Sequence, residues 1–403
     1  MHDIKPLIKK DVVVMGAGAA GLMCAIEAAK RGRSVLVLEH MSTIGKKIRV
    51  SGGGRCNFTN THLHSDHYLS ANPHFCKSAL ARFTPHDFLS MLERHGIAYA
   101  EKEEGRFFCR GTSGDIVRML HEESRKAGAA LCLNCRIGNI TKTGHFSIST
   151  NFSRVEASSL IVATGGLSYP ELGATDLGFR IARRFGLKIS QLKPALVPFV
   201  FSRHDQKLFD ALSGISFHAE VNCKGRRFRG EVLFTHRGLS GPAILQVSSY
   251  WDRGDEIVID LMPEQDAYAL FTAKRKSRIE LSNLLSEYLP RRFSRTWCEL
   301  HSPSRPLCQY TDKELKDVAF QIQHWTIRPE RTEGYRNAEV TAGGVDTKEL
   351  SSKTMEVKKV PGLYFAGELI DIAGDSGGYN LQAAFSTGRL AGKSAAIAVR
   401  ETR

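Results

Sequence analysis

The 403-residue sequence lacks several features that mark specialised classes of protein. It has no apolar run of the roughly 18 residues that a transmembrane helix needs, so a membrane protein is not expected. Its nine cysteines are odd in number and irregularly spaced. This argues against a disulfide-stapled secreted fold and favours a reducing cytoplasm. Repeats and low-complexity tracts are also missing. With 42% apolar and 24% charged residues, the chain is expected to be globular, with roughly two or three domains.

Positive charge, in contrast, is abundant. Lys and Arg number 56 against 42 Asp and Glu, which gives a formal net charge of +14. Such an excess indicates an anionic partner or self-repulsion that favours solubility. Nucleic acid, acidic lipid and a phosphate-rich cofactor are the candidate partners.

Metal binding is not predicted. Cys132 and Cys135 form a C-x-x-C pattern, but no second pair is present to complete a zinc site. If the segment is a strand, the two side chains point to opposite faces. We therefore expect both cysteines to be structural.

Near the N-terminus, a strand, a glycine turn, a helix and a second strand follow one another. Gly16, Gly18 and Gly21 form a G-x-G-x-x-G turn. The first glycine allows the bend, the second lets the backbone approach a pyrophosphate, and the third lets the helix pack on the strand. Glu39 ends the second strand, where a carboxylate accepts hydrogen bonds from ribose hydroxyls. The predicted elements are strands at 12–15 and 34–38 and a helix at 19–30. The pattern predicts a dinucleotide site but does not separate FAD from NAD.

Three later segments favour FAD. LIVATGG (160–166), VPGLYFAGE (360–368) and GDSGGYNLQAAFSTG (374–388) together resemble flavoproteins of the glutathione-reductase type. The resemblance implies that Glu368 reaches the ribitol chain of FAD. It also implies that the helix after Gly377 and Gly378 directs its positive end at the flavin's pyrimidine edge. Since no second G-x-G-x-x-G follows a strand, we expect no dedicated NAD(P)H domain. Electrons would then come from transiently docked NAD(P)H or from another donor.

Further motifs narrow the resemblance to the BaiN/YhiN-like flavoprotein family. They are SGGGRCNFTN (51–60), NPHF (72–75), VATGGLSYPELGATDLGF (162–179), FTHRGLSGPAILQ (234–246), TAGGV (341–345) and the stretch 354–388. The family implies an α/β fold, with a Rossmann-like FAD-binding core in which a parallel sheet is flanked by helices. It also implies an inserted β-rich, barrel-like domain with an attached helical part. Members are associated with reduction of activated carbon–carbon double bonds, in bile-acid-type steroids or in uridine of large-subunit ribosomal RNA.

The pattern of alternation sets the predicted domain limits. Alternating apolar and polar residues from 196 to 262 predict an antiparallel barrel or sheet. The residues after it are helical in pattern, polar and basic. We predict a first part of the FAD-binding domain at 1–194, the inserted β-rich domain at 195–263, its helical part at 264–335, and the second part of the FAD-binding domain at 336–403.

Cys56 is the candidate catalytic residue. It follows the glycines of a loop whose family counterpart passes beside the flavin, and a thiol there is suited to protonate the carbon next to the hydride acceptor. The alternative is a small residue that fills space near the ring. The candidate FAD-binding residues are Gly16, Gly18, Ala19, Ala20, Gly21, Glu39, Lys47, Gly53, Gly54, Arg55, Ala163, Thr164, Gly165, Gly367, Glu368, Gly378, Tyr379 and Asn380. The candidate substrate-binding residues are Tyr169, His236, Arg226, Arg227 and Arg229.

Three functions from different classes fit these features. The favoured one is reduction of a uridine in ribosomal RNA to dihydrouridine, because arginine-rich runs with Phe228 and Phe293 interleaved suit phosphate contact and base stacking. The second is reduction of a small-molecule enone of steroid or bile-acid type, which needs no basic surface. The third is a flavin-dependent redox sensor without turnover. The basic runs are at 180–188, 224–229, 274–278 and 291–295, and such runs are often simply solvated faces.

Overall fold

The computed structural model describes residues 6–401, and the chain divides into two compact units. The first unit comprises the chain up to Lys193 and from Val340 onward, and the second is Pro194–Glu339. Each unit has its own hydrophobic core. The outer limits predicted at residues 1 and 403 lie outside the described range.

The first unit begins with a long stretch of chain that precedes the second unit. These strands are β1 (Leu7–Met15), β2 (Val35–Leu38), β3 (Asn57–Asn60), β4 (Tyr68–Leu69), β5 (Tyr99–Lys102), β6 (Arg106–Cys109), β7 (Ala130–Cys132), β8 (Ile137–Thr143), β9 (His145–Thr150) and β10 (Arg154–Val162). The helices of the same stretch are α1 (Ala19–Ala29), α2 (Lys46–Val50), α3 (Lys77–Arg82), α4 (Pro85–Arg94), α5 (Ser113–Lys126) and α6 (Leu177–Arg184).

The remaining elements belong to the second unit and to the part of the first unit that follows it in the chain. The strands are β11 (Lys193–Ala195), β12 (Phe199–Val200), β13 (Ser216–Cys223), β14 (Arg226–Phe234), β15 (Gly238–Ser240), β16 (Ile257–Asp260), β17 (Trp325–Ile327), β18 (Arg331–Thr332), β19 (Val340–Ala342), β20 (Leu363–Phe365) and β21 (Ala373–Gly374). The helices are α7 (Arg203–Phe209), α8 (Pro242–Ser248), α9 (Ala267–Ala273), α10 (Leu281–Leu285), α11 (Arg291–His301), α12 (Asp312–Gln323) and α13 (Tyr379–Glu401). Within residues 6–401, no helix is both long and apolar enough to cross a membrane.

A parallel sheet forms the centre of the first unit. Its strands lie in the order β7-β2-β1-β10-β20, and β10 also pairs in antiparallel fashion with β9, which pairs with β8. Residues 12–15 of β1 and all of β2 are continuous apolar runs, because parallel strands are covered on both faces. β1 begins at Leu7, earlier than the predicted residue 12, because its polar half pairs with β10 from Leu7 opposite Arg154. The structure confirms the predicted α/β core. The carboxyl ends of its strands meet at one edge, where ligands of such sheets bind.

Two helices of the first unit pack with their backbones in close contact. On α13, a Cβ atom at Gly388 would lie 2.4 Å from the carbonyl oxygen of Ala20. One at Gly392 would lie 2.3 Å from the carbonyl oxygen of Cys24 on α1. Both positions therefore need glycine for this approach, and the spacing of four residues on each helix keeps the two contacts on one face.

The second unit is built on an antiparallel sheet. Its strand order is β17-β16-β13-β14-β15-β12-β18, and buried residues alternate along β13 as the sequence pattern predicts. The segment 264–335, predicted as the helical part, also contains β17 and β18, which complete the sheet. The base-stacking role predicted for Phe293 is wrong. Phe293 is buried against Phe217 at 4.6 Å and Trp325 at 5.6 Å between ring centroids, so it packs the core.

Candidate functional site

In the turn between β1 and α1, the first and third glycines pack against the backbone, and the second faces open space. Gly16 has a φ of +100°, and a Cβ there would lie 2.5 Å from the carbonyl oxygen of Ala163. A Cβ at Gly21 would lie 1.9 Å from the carbonyl oxygen of Gly16. At Gly18, in contrast, a Cβ would meet no atom within 4 Å. No side chain caps the start of α1, so its first amides face this open space and suit an anion.

Glu39 lies beside this turn, at the end of β2. One carboxylate oxygen accepts a hydrogen bond from the amide of Ala17 at 2.8 Å, and the other accepts one from the amide of Met41 at 2.9 Å. A carboxylate has further lone pairs on each oxygen. Nδ1 of His40 also lies 3.0 Å from the oxygen that faces Met41. The carboxylate is thus fixed next to the anion site, and its other oxygen keeps a lone pair for a hydroxyl donor such as a ribose presents.

Replacing Glu39 by alanine is expected to weaken FAD binding by about 10- to 100-fold, because a hydrogen bond to a charged group contributes roughly 1.5–3 kcal/mol. Titration of cofactor-stripped protein with FAD, followed by flavin fluorescence, measures this effect. Glu39→Gln retains an acceptor without the charge and should fall between Glu39→Ala and the wild type. Unchanged affinity in Glu39→Ala would remove Glu39 from the ribose site.

Lys47 and Glu368 form an ion pair, although they lie far apart in the sequence. The second carboxylate oxygen of Glu368 accepts a hydrogen bond from the amide of Thr341 at 2.9 Å. The Thr341 hydroxyl in turn accepts one from the amide of Leu167 at 2.8 Å. Lys47 is one of the predicted FAD-binding residues. In the structure it compensates the charge of Glu368, and its role toward FAD stays a prediction. Thr341 was not predicted as a site residue, although it lies in the TAGGV motif.

Cys56 follows three consecutive glycines in the left-handed region, at φ of 56°, 65° and 84° for Gly52, Gly53 and Gly54. A Cβ at either Gly53 or Gly54 would meet no atom within 4 Å, so a flat ring can approach this turn closely. Cys56 itself is 0% exposed. Burial raises the pKa of its thiol to about 12, against a hydrogen bond with the Ser51 side chain that lowers it. The thiol therefore keeps its proton at neutral pH. Its predicted catalytic role stays a prediction, and it requires the glycine turn to uncover the thiol.

The loop that leads into α13 is held by side chains on both of its flanks. Asn380 accepts a hydrogen bond from the amide of Gly374 at 2.8 Å and donates one to its carbonyl at 2.7 Å. The Tyr379 ring stacks on His67 with 4.5 Å between centroids, and Nδ1 of His67 lies 3.0 Å from the Asp375 carboxylate. His67 and Asp375 were not predicted as site residues, although Asp375 lies in the quoted GDSGG motif.

The other predicted cofactor residues cluster at the same edge of the sheet. A Cβ at Gly367 would lie 2.8 Å from the Cβ of Ala20, so the segment after β20 lies directly on the start of α1. Around these residues lie Ala19 in the first turn of α1, Ala163, Thr164 and Gly165 after β10, and Gly378 against the carbonyl of Thr59. Arg55 is exposed beside Cys56.

The predicted substrate residues are divided between the units. Tyr169, in the first unit, is half-buried with a left-handed φ of 60°. His236 is exposed in the turn between β14 and β15 of the second unit. The three arginines of β14 differ in their partners, which were not predicted. Arg229 pairs with Glu220 and Glu264, both at 2.8 Å, and Arg227 lies 3.6 Å from Glu220. Arg226 lies over the Tyr250 ring, 5.4 Å from its centroid.

The residues at the edge of the parallel sheet fit FAD. Glu39 suits the ribose, the uncapped start of α1 and the open space at Gly18 suit the pyrophosphate, and the open face of Gly53 and Gly54 suits a flat ring. Among residues 6–401, no group of three or more His, Cys, Asp or Glu side chains is arranged to hold a metal ion.

Comparisons with known proteins agree with this geometry. Residues 10–394 match the family model described as the HI0933-like protein Rossmann domain. The chain is 43% identical to the ribosomal RNA dihydrouridine synthase of Escherichia coli (strain K12), over 94% of this chain and 96% of that protein. It is 29% identical to the 3-dehydro-bile acid delta(4,6)-reductase of Clostridium scindens, over 95% of this chain and 98% of that protein. The crystal structure of a 3-ketosteroid-delta4-(5alpha)-dehydrogenase from Rhodococcus jostii RHA1 superimposes with a TM-score of 0.50 at 17% identity, covering 98% of this chain and 100% of that one.

Proposed function

The chain belongs to the HI0933-like Rossmann family and is an FAD-dependent oxidoreductase, and we propose that it reduces a uridine of ribosomal RNA to dihydrouridine. The observation that carries this proposal is the 43% sequence identity between this chain and the bacterial dihydrouridine synthase. The identity extends over nearly the full length of both chains. A bile-acid reductase is also a relative. Reduction of a carbon–carbon double bond conjugated to a carbonyl group is the chemistry common to both relatives.

The residues of the site divide this reaction between them. When bound and reduced by the electron donor, the flavin would supply the hydride for C6 of the uracil ring. The open turn at Gly53 and Gly54 admits the flavin ring. After C6 of the uracil has received the hydride, C5 must receive a proton. We propose that Cys56 delivers that proton, since its thiol remains protonated at neutral pH. The electron donor is proposed to be NAD(P)H that docks transiently.

A small aromatic platform on the second unit supports RNA binding. Phe228 on β14 is half-buried and lies 5.6 Å from the Tyr250 ring, centroid to centroid. The guanidinium of Arg226 lies over the same Tyr250 ring. Partly exposed rings next to an arginine combine base stacking with phosphate contact, as proteins that bind single-stranded RNA require.

Nucleoside analysis of ribosomal RNA tests the proposed function directly. Cells that lack this gene should lose dihydrouridine from their ribosomal RNA, and a plasmid copy of the wild-type gene should restore it. A Gly18→Ala copy, which is designed to lose the cofactor, should not restore it. Unchanged dihydrouridine in the deletion strain would overturn the proposal.

RNA binding is expected to depend strongly on salt. Each phosphate contact on a single strand contributes about 0.7 to the slope of log affinity against log salt concentration. Arg226→Glu should weaken binding to a ribosomal RNA fragment and reduce this slope. Arg229→Glu should reduce it less, because two carboxylates already neutralise Arg229. Filter binding at several salt concentrations measures both variants, and the flavin spectrum serves as the control. Binding that is insensitive to salt would instead favour a small-molecule substrate.

The relative from Clostridium scindens supports a second candidate, reduction of a small-molecule enone of steroid type. Anaerobic mixing of the reduced enzyme with a 3-keto-Δ4 steroid distinguishes the two candidates. Rapid flavin reoxidation by the steroid, together with none by the RNA fragment, would establish this alternative. Failure of both substrates would favour a redox sensor without turnover.

A further inference from the structure

The prediction that Cys132 and Cys135 point to opposite faces assumed that both lie in one strand, and only Cys132 does. β7 ends at Cys132, and Asn134 adopts a left-handed φ of 53°. This conformation turns the chain back, so that residues 132 and 135 both hydrogen-bond to the backbone of Glu39 and their thiols lie close enough to influence each other. The Cys132 thiol itself donates to the carbonyl of Leu133 at 3.9 Å. Both cysteines are free thiols in the structure.

The turn that carries the two thiols is tied to Glu39 through the backbone. The amide of Glu39 donates to the carbonyl of Cys132 at 2.9 Å, and the amide of Cys135 donates to the carbonyl of Glu39 at 2.8 Å. The amide of Asn134 also donates to the carbonyl of Met41 at 3.1 Å. The proposed ribose-binding carboxylate and the thiol pair therefore share one small hydrogen-bonded unit.

We propose that Cys132 and Cys135 form a reversible disulfide under oxidation by a hydroperoxide, and that this disulfide weakens FAD binding at Glu39. In the first step a thiolate attacks the peroxide oxygen, which gives a sulfenic acid and releases water when the oxidant is hydrogen peroxide. In the second step the other thiol attacks the sulfenic sulfur, which forms the disulfide and releases a second water. Overall, two thiols and one hydrogen peroxide give one disulfide and two waters.

Accessibility assigns the order of attack. Cys132 is half-buried, whereas Cys135 is buried. Burial, followed by the neighbouring thiol, raises the pKa of Cys135 to about 11. The peroxide therefore meets Cys132 first, and Cys135 resolves the sulfenic acid.

Disulfide formation would act on Glu39 by moving the backbone on both sides of it. It brings the two sulfur atoms to bonding distance, which shifts residues 132 and 135. Because each is bonded to the backbone of Glu39, the carboxylate is displaced from its bonds to Ala17 and Met41. The inference concerns the cofactor site alone and does not depend on which substrate the enzyme reduces.

Mass spectrometry tests whether the bond forms. Wild-type holoprotein is treated with hydrogen peroxide, its free thiols are alkylated, and the protein is digested with trypsin. Cleavage after Lys126 and Arg136 places both cysteines on one peptide, residues 127–136. In the oxidised sample this peptide should be unalkylated and lighter than the dithiol form by the mass of two hydrogen atoms. Dithiothreitol given before alkylation should restore the dithiol. Full alkylation after peroxide treatment would overturn the proposal.

A second measurement tests the link to the cofactor. After oxidation, the dissociation constant for FAD should rise by about tenfold, which corresponds to the loss of one hydrogen bond to a charged group. Dithiothreitol should reverse the change. Cys132→Ser and Cys132→Ala should be insensitive to peroxide, whereas Cys308→Ser, at the exposed cysteine, should respond like the wild type. Equal FAD affinity in the oxidised and reduced wild type would reject the link to Glu39.

Discussion

Replacing Gly18 by alanine is expected to leave the protein folded while FAD affinity falls by about 100-fold or more. A Cβ at this position meets no protein atom within 4 Å, so the fold has room for it. The methyl group instead occupies the space through which the pyrophosphate approaches the first amides of α1. Loss of two charge-assisted hydrogen bonds accounts for this magnitude. Equilibrium dialysis with FAD, together with the melting temperature of the cofactor-free protein, measures both effects.

Gly21→Ala provides the matched control in the same turn. Its Cβ would lie 1.9 Å from the carbonyl oxygen of Gly16, so α1 cannot pack against β1 and we expect insoluble or unfolded protein. The two variants thus separate cofactor contact from helix packing, although each adds the same methyl group. Wild-type FAD affinity in Gly18→Ala would place the pyrophosphate elsewhere.

The second large effect is expected at Cys56. If its thiol is the proton donor, Cys56→Ala should bind FAD and accept reducing equivalents normally. Reoxidation by the substrate should then slow by about 10²–10⁴-fold, because only that step requires the proton. Single-turnover reoxidation of pre-reduced enzyme by a ribosomal RNA fragment measures this rate.

Two variants distinguish the acid role from a space-filling one. Cys56→Ser should be nearly as slow as Cys56→Ala, since a hydroxyl is a much weaker acid than a thiol. Cys109→Ala removes the neighbouring buried thiol and should retain most of the rate. Near-wild-type reoxidation in Cys56→Ala would falsify the acid role and leave proton delivery to water or to another group. Because Cys56 is fully enclosed, the wild-type rate should also fall if the turn at residues 52–54 is made less mobile.

Local patterns were sufficient to predict the cofactor-binding half of the fold. The glycine turn and Glu39 lie within one βαβ unit, where spacing along the chain fixes spacing in the structure. The predicted place of the segment around Gly367 and Glu368 in the FAD site came from the family resemblance. It was not obtained from local spacing, because that segment lies more than 300 residues away in the sequence.

The details that were missed depend on partners distant in sequence. Neither residue of the Lys47–Glu368 pair shows its partner in the local pattern. Phe293 reads as one member of an exposed basic run, yet α11 turns it into the aromatic core. Cys132 and Cys135 converge on the backbone of Glu39 because Asn134 adopts a left-handed conformation, which alternation along a strand does not predict. Side-chain direction after a strand ends is set by the turn rather than by the strand period.

The close packing of α1 on α13 has a consequence for cofactor selection. Gly388 and Gly392 bring the two helix backbones together near the start of α1, so the two helices cannot slide independently. α1 begins at the proposed pyrophosphate site, and α13 begins at the segment proposed to face the flavin ring. The distance between these two helix starts is therefore a fixed length, which the packing of the two helices sets. A full dinucleotide spans that length, whereas riboflavin monophosphate reaches one end only and forgoes the additive gain of a linked second contact. The same sheet edge should therefore discriminate between flavin cofactors by length, without any residue that recognises the missing half.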